Sequence, residues 1–439
     1  MEGGENVRRG AVTEASGTAE LVVDRPHTFR VHTRAYTDPE IFAQEMKRIF
    51  ERVWVFVAHD SEIPNPGDFK TSYIGLQPVI VARGQDGVIR VLVNRCRHRG
   101  AVVCREMRGN QRHFECPYHG WVYGNDGRLQ AVTHRDELGG YSADFAQPDG
   151  LFRLPKVDSY RGLIFASFNP DVPDLIEHLG RAKLLLDRRF NLSPVGEIVL
   201  RSDPFVGRYK GNWKFQAENI VDDYHFLFVH RGFVDLQGKY GDSTGNFGLH
   251  PGGNTGEMRK VRYRGYAWGC PQGHGILDAP SPNLEGALNG PFADHYRALE
   301  AKHGKDELAW IAGRGIASIF PNLGTIHQQI RVWRPIAPDL TEVAIYPYEL
   351  KGAPDAFNEG MLRAQERFYG PAGHGAADDM EMFAVNHAGL AGTAVEHVLF
   401  ERGVDTDTIV ENGDCRGQPS SEACQRGFWR QWQRLMERP

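Results

Sequence analysis

The spacing of hydrophobic positions along this chain changes twice. Between about Asp38 and Val53, Ile41, Phe42, Met46, Ile49 and Phe50 recur at helical intervals, and Asp38 followed by Pro39 supplies a start signal, so a helix is predicted there. From there to about residue 170 the pattern becomes short runs of Val, Ile and aromatic residues: Val53–Ala58, Val79–Arg83, Val88–Asn94, Phe114, Trp121–Tyr123 and Leu163–Phe168. Asn65-Pro66-Gly67, Gln85-Asp86-Gly87 and Asn125-Asp126-Gly127 divide them as turns, the pattern of a small antiparallel β domain. After residue 170, helical patterns return around 174–190, 213–230, 291–315 and 355–370, mixed with strands at Thr325–Trp333 and Thr341–Glu349. Strands and helices segregated in this way predict an α+β fold. Residues 1–20, without any period, are expected to form a mobile tail. The expected division is tail 1–20, an N-terminal helical part of the larger domain at 21–52, the β domain at 53–170, and the rest of the larger domain at 171–439.

Composition closes several alternatives. The 439 residues are 41% hydrophobic and 24% charged, as in ordinary soluble globular proteins. No window approaches the ~18 consecutive apolar residues of a membrane span, and the N-terminus has no apolar stretch of a secretory signal. Six cysteines are too few for a disulfide framework in a chain of this length, so a cytoplasmic location is expected and metal ligation becomes the leading use for them. The net charge of −5 argues against a general nucleic-acid binder.

Cys96-Arg97-His98 and Cys116-Pro117-Tyr118-His119 form two loops, each offering one thiolate and one imidazole. All four could surround a single zinc ion. Alternatively, two Cys could hold one iron and two His the other in a Rieske [2Fe–2S] centre. The alternation suits the second arrangement, because each facing loop then places its Cys on the inner iron and its His on the outer one. With their neighbours, Cys96-Arg97-His98-Arg99-Gly100 and Cys116-Pro117-Tyr118-His119-Gly120-Trp121 closely resemble the paired loops of Rieske proteins. Cys104 fits neither pair and is expected to be structural. Arg95, Arg97, Arg99, Arg105, Arg108 and Arg112 face only Glu106 and Glu115 around these loops, a candidate docking patch for an acidic electron donor.

An electron-transfer centre needs a client. In Trp213–His230 two histidines, His225 and His230, lie five residues apart in an aromatic and aliphatic run. On a regular α-helix such positions diverge by ~140°. To share a metal they require a distorted helix, and a π-bulge is the natural device. Two His and a remote carboxylate form the facial triad of non-haem Fe(II) oxygenases. The motif Glu218-Asn219-x-x-Asp222-x-Tyr224-His225-x4-His230 resembles the mononuclear-iron segment of Rieske non-haem iron aromatic-ring-hydroxylating oxygenases, large (α) subunit. That family's third ligand is an Asp far downstream, and Gly370–Phe383 resembles its Gly-rich turn with paired Asp before a helix. Asp378 or Asp379 could fill the role. On a helical wheel Asp379 flanks the stripe of Met380, Phe383 and Ala384 while Asp378 points ~100° away, and analogy with the family's second Asp selects Asp379.

The resemblance covers nearly the whole chain after residue 25. It is closest to the benzoate, toluate and anthranilate dioxygenases in Ser159-Tyr160-Arg161-Gly162, Gly211-Asn212-Trp213-Lys214, Gln329–Pro335 and Ala377–Glu381. The tail Gly427-Phe428-Trp429-Arg430 is more similar to the terephthalate and salicylate hydroxylases. The resemblance implies a small all-β Rieske domain beside a larger, helix-grip-like catalytic domain with an antiparallel sheet. It implies a cluster on Cys96, His98, Cys116 and His119, and Fe(II) on His225, His230 and Asp379. Asp222 would link an iron histidine to a Rieske histidine of the neighbouring subunit, and Asn219 would lie beside the iron. The implied reaction is cis-dihydroxylation of a benzoate-like acid with O2, using electrons from NADH. No Rossmann glycine fingerprint is present, so a separate reductase is expected, with or without a ferredoxin. A head-to-tail homotrimer is also implied, with or without a small β subunit. Monohydroxylation of a salicylate-type substrate is the alternative within the class, and an electron carrier without oxygenase activity the alternative outside it. Phe226, Leu227, Phe228, Val221 and Ile316 are candidate pocket walls. In the strand predicted around 325–333, alternation puts His327, Gln329, Arg331 and Trp333 on one face. Arg331 is thus the candidate anchor for a substrate carboxylate.

Overall fold

The computed structural model describes residues 21–201, 203–240 and 264–438; the expected tail 1–20 lies outside them. The first helix begins where the start signal places it. The Asp38 side chain accepts hydrogen bonds from the backbone N–H groups of Glu40 and Ile41, and Pro39 occupies the first turn of Pro39–Glu45. The helix then widens into a π-helical segment, Met46–Phe50, which buries Met46, Ile49 and Phe50.

The β-rich part that follows consists of three small antiparallel sheets. One joins Ile89–Val93, Gln77–Arg83, Asp68–Ile74 and Arg108–Asn110. A second joins Leu129–Ala131, Val122–Gly124 and His113–Glu115, and a third Lys156–Tyr160, Leu163–Ser167 and Val55–His59. Val55–His59 and Leu163–Ser167 are buried at every position, which is why both read as unbroken runs of largely apolar residues without alternation. They lie where this part meets the rest of the chain. There the Asn322 amide bonds the backbone N–H and C=O of Phe56, each at 3.0 Å, and Lys70 Nζ donates to Glu62 (2.7 Å) and Tyr346 (3.1 Å).

The larger part is built on a nine-stranded antiparallel sheet. Its spatial order is Phe205–Tyr209, Leu340–Pro347, Gln329–Ala337, Leu323–Ile326, Arg314–Ile319, Gly275–Ala279, Tyr266–Gly269, Cys415–Gly417 and Thr408–Ile409. On one face Ala317, Ile319 and Ile330 cluster with Leu185, Leu186, Leu299 and Leu308 from the helices that precede them in the chain. On the other, Ile316, Ile326, Trp333 and Ile345 cluster with Phe368, Phe383, Phe428 and Trp429. Beside that second cluster the N-terminal helix is tied in by a buried ion pair. Lys214 Nζ meets Glu45 Oε1 at 2.5 Å, both side chains fully buried, and Glu45 also accepts from the indole N–H groups of Trp213 (2.8 Å) and Trp432 (2.7 Å). Every bonding site of the carboxylate used in this way offsets its desolvation.

Three predicted elements divide. The helix expected at 174–190 breaks at Gly180 (φ +46°) into Leu175–Leu179 and Ala182–Phe190. The one at 291–315 breaks at Gly304 (φ +80°) into Ala293–His303 and Lys305–Ile311 and gives way to the strand Arg314–Ile319. The strand expected at Thr325–Trp333 is a hairpin, Leu323–Ile326 and Gln329–Ala337, turning at His327 (φ +52°) and Gln328. Folding back pairs Ile326 with Gln329, so Ile326 joins the face of Gln329 and Arg331 instead of opposing it, as strict alternation had required.

Candidate metal centres

The two Cys/His loops repeat one backbone pattern. Cys96 N–H bonds to Ala101 C=O (2.8 Å) and Gly100 N–H to Cys96 C=O (3.0 Å); Cys116 N–H bonds to Trp121 C=O (2.8 Å) and Gly120 N–H to Cys116 C=O (3.0 Å). Gly100 and Gly120 close these turns with φ of +80° and +67°, values that a side chain would strain. Both cysteines are buried, whereas both histidines are partly exposed. The rings of His98 and His119 stand 4.6 Å apart, and His98 stacks on Trp121 at 5.1 Å. His98 Nδ1 is buried without a hydrogen-bond partner, as a nitrogen reserved for a metal would be. Burial, and then the neighbouring Cys96 sulfur, push the Cys116 thiol pKa up, so two thiolates here call for a cation. The donor set and its inner-sulfur, outer-imidazole arrangement therefore fit a [2Fe–2S] cluster. Tyr123, a residue the sequence reading passed over, adds to the inner side: its hydroxyl lies 3.2 Å from Cys96 Sγ and accepts from Arg97 N–H at 3.0 Å. Cys104 stands apart, its thiol pushed up to about 11 by burial. The six arginines named above are exposed, and Arg108 pairs with Asp203 at 3.0 Å.

The segment 213–230 is not one helix with a bulge. Lys214–Asn219 ends, the chain turns irregularly, and a single helical turn, Phe226–Val229, follows with His225 at its N-cap and His230 at its C-cap. The helix break, not a π-bulge, brings the two imidazoles together, with ring centroids 5.4 Å apart. Asp379, in the first turn of Ala376–Gly389, completes the group. Its Oδ1 lies 3.6 Å from His225 Nε2 and 3.2 Å from His230 Nε2, and one donor atom from each of the three lies within 4.8 Å of the others. Burial alone would raise the Asp379 pKa, but the His230 hydrogen bond and the charges of His225, His230 and Arg331 outweigh it and hold the carboxyl below its usual range. Two imidazoles and one ionised carboxylate, converging and almost buried, fit Fe(II) with coordination positions left open.

Around this group the structure sorts the remaining candidates. Asn219 Nδ2 lies 3.4 Å from both His225 Nε2 and Asp379 Oδ1. Asp222 Oδ2 is 3.5 Å from His225 Nδ1, with its side chain one-third exposed. Asp223 is engaged instead in a buried ion pair with Arg314 on the wall of the same cavity. Asp378 Oδ2 is 3.5 Å from the Nδ1 of His230 and belongs to the far side of that ring. A cavity opens beside the triad, lined by Leu277, Ile316, Ile326, Phe368, Tyr369 and Arg331 among others. Of the predicted walls, Phe226 and Ile316 line it; Val221, Leu227 and Phe228 do not, and Phe228 is 63% exposed. Arg331 is 3% exposed and makes no hydrogen bond or ion pair among the described residues; its Nε and Nη2 are buried without partners. It lies under Tyr369, with Cζ 4.8 Å from the ring centroid. Nothing in the sequence placed Phe368 and Tyr369 over a strand earlier in the chain.

Comparison with known proteins agrees with this chemistry. Residues 53–143 match the Rieske [2Fe-2S] domain, and residues 190–438 match the ring hydroxylating alpha subunit (catalytic domain). The chain is 36% identical to the 2-halobenzoate 1,2-dioxygenase large subunit of Burkholderia cepacia, over 85% of this chain and 80% of that one. It is 33% identical to the N,N-dimethyl phenylurea N-demethylase subunit alpha of a Sphingobium species, over 91% and 90%. Among solved structures it resembles naphthalene 1,2-dioxygenase with indole bound in the active site, at TM-score 0.82 and 28% identity over 95% and 94% of the two chains. No helix of the described residues is long and apolar enough to cross a membrane. The chain is an enzyme of the Rieske-type ring-hydroxylating oxygenase family and belongs to its α subunits, which carry a [2Fe–2S] cluster and a mononuclear iron.

Proposed function

We propose that this α subunit cis-dihydroxylates a benzoate-like aromatic carboxylate: aromatic acid, O2, NADH and a proton give the cis-diol acid and NAD+. Cys96, His98, Cys116 and His119 hold the cluster, and His225, His230 and Asp379 hold Fe(II). When bound, these groups supply stored electrons and a place for O2 to react. The protein's own contribution is to hold the ring beside them in a cavity whose apolar walls include Leu277, Ile316, Ile326 and Phe368.

The observation that carries the substrate class is Arg331. A buried guanidinium whose N–H groups are left unpaired is costly unless a ligand satisfies them. Arg314, the other arginine on the cavity, is already neutralised by Asp223. Arg331 is held beneath Tyr369 with its fork unpaired, so a carboxylate entering the cavity finds two N–H donors in the geometry it prefers. At about 1.5–3 kcal/mol for hydrogen bonds to charged groups, Arg331→Gln should lower kcat/KM for benzoate-like acids roughly 10- to 100-fold. Neutral aromatics should be much less affected. A panel of aromatic acids with N,N-dimethylphenylurea as a neutral member, supplied with NADH, O2 and a compatible reductase, tests this. Turnover of the urea alone, or equal turnover of acids by Arg331→Gln, would remove the carboxylate reading, and labelled O2 separates dihydroxylation from monohydroxylation.

Two features of the surface support the proposed partners. Asp222 is one-third exposed beside Tyr224 and Phe228, themselves 46% and 63% exposed. Such a face suits coverage by the neighbouring subunit of a homotrimer, with or without a β subunit, so that Asp222 links His225 to that subunit's cluster. The exposed Arg95, Arg97 and Arg99 edge a groove beside Cys96 and His98, which suits an acidic reductase or ferredoxin in the cytoplasm.

A further inference from the structure

We infer that Asp378 is the positioning residue for His230, so that each of the two iron histidines is faced by a carboxylate of its own. The inference rests on reading His225, His230 and Asp379 as the iron ligands. Each imidazole has one nitrogen turned to the triad and one turned away. The outward Nδ1 of His225 faces Asp222 Oδ2 at 3.5 Å, and the outward Nδ1 of His230 faces Asp378 Oδ2, also at 3.5 Å. The 3.5 Å contact at His230 is an ion-pair distance and not yet a hydrogen bond; a carboxylate this close favours the proton on Nδ1, leaves the Nε2 lone pair free for a metal and, when the hydrogen bond closes on metal binding, fixes the plane of the ring.

Asp378 is suited to this and to nothing closer. It precedes Asp379 on the same helical turn, so the residue that supplies the third ligand also sets the distance to its neighbour. Its oxygen meets the far nitrogen of His230, on the other side of the ring from the converging Nε2 and Oδ1 atoms, and this excludes it from the ligand group itself. Both carboxylates reach solvent, Asp222 at 33% and Asp378 at 48% exposure, but the ring that Asp378 faces is only 2% exposed and packs edge-on against Phe226 and Phe368.

The test is anaerobic Fe(II) binding to the apo mononuclear site in the intact, cluster-containing protein, with Co(II) as a spectroscopic probe. Asp378→Ala should weaken Fe(II) binding about 10- to 100-fold and Asp378→Asn less, both with the visible absorption of the cluster unchanged as the check on folding. At saturation the Co(II) ligand-field spectrum should match that of the unaltered protein, because no ligand has been removed. Glu381→Ala, which removes an exposed acid from the same helix, should bind Fe(II) normally. Unchanged affinity in Asp378→Ala, an equal loss in Glu381→Ala, or an altered Co(II) spectrum would each overturn the assignment. Asp379→Ala separates this from failure of the ligand reading: if that variant also binds Fe(II) normally, the triad itself is wrong.

Discussion

Cys96 and His98 share one tight loop and Cys116 and His119 another, and each loop is closed by its own pair of backbone hydrogen bonds. His225, His230 and Asp379 come instead from two segments far apart in the chain, held together by the packing of Phe226, Phe368 and Phe383 around them. The first centre carries its geometry locally, and the second borrows it from the tertiary fold. The two should therefore fail separately and for different reasons. The largest effect expected is from His225→Ala. It removes a proposed iron ligand whose partners lie in no common loop with the cluster, so the mononuclear iron should be lost, oxygenation should fall to background, and the visible spectrum and iron of the cluster should remain. A variant that bleaches as well would show that the two centres share a frame.

The same contrast explains what could be read before the structure. The Rieske loops are short, their ligand spacing is a local property, and Cys-x-His with Cys-x-x-His states it outright. For the second centre the two histidines were visible, but their geometry was not. A regular helix keeps positions five apart from converging, and neither the break after Asn219 nor the caps at His225 and His230 leaves a periodicity. The π-bulge expected between the two histidines is not there, and the π segment at Met46–Phe50 falls inside a stretch read as ordinary helix. Asp379 could be preferred over Asp378 only by wheel position and likeness, and the contact of Asp378 with His230 depends on how a helix 150 residues on is docked. The hairpin at His327-Gln328 was missed because a two-residue turn can hide inside an alternating run, although Gln329 and Arg331 do share a face.

If the second centre depends on global packing, weakening that packing away from it should matter. Glu45 is the place to try, since the buried carboxylate holds Lys214, Trp213 and Trp432 at once. Glu45→Ala leaves Lys214 buried and unpaired and should cost about 3–5 kcal/mol in denaturant unfolding. Removing both charges, as in Glu45→Leu with Lys214→Met, should recover part of that. A loss under about 1 kcal/mol for Glu45→Ala would contradict the role given to the pair. The local centre offers the converse experiment. Tyr123 can donate to the Cys96 sulfur while accepting from Arg97 N–H, and a hydrogen bond to sulfur favours the reduced, more negative cluster. Tyr123→Phe should lower the midpoint potential by roughly 40 mV, the equivalent of about 1 kcal/mol for one electron, and leave Fe(II) binding at the other centre unchanged. An unmoved potential would mean that the hydroxyl serves Arg97 alone.

A last effect is expected in pH dependence. Glu218, one residue before Asn219, accepts from Tyr36 OH at 2.7 Å and from Trp429 Nε1 at 3.0 Å. Burial raises its pKa from 4.5 to about 8, against the lowering pull of those bonds and of Lys214. Because the native carboxyl holds its proton more tightly than the unfolded one, its contribution to stability is fully present below pH 4.5 and is lost as pH rises through about 8. Glu218→Gln stays neutral and can still accept both hydrogen bonds, so it should flatten the decline in urea midpoint between pH 5 and 8 while barely changing the midpoint at pH 5. The cluster loops have no part in that helix, and cluster retention should not follow the same curve. Should wild type and Glu218→Gln keep parallel midpoints across this range, the proton would not be held at Glu218.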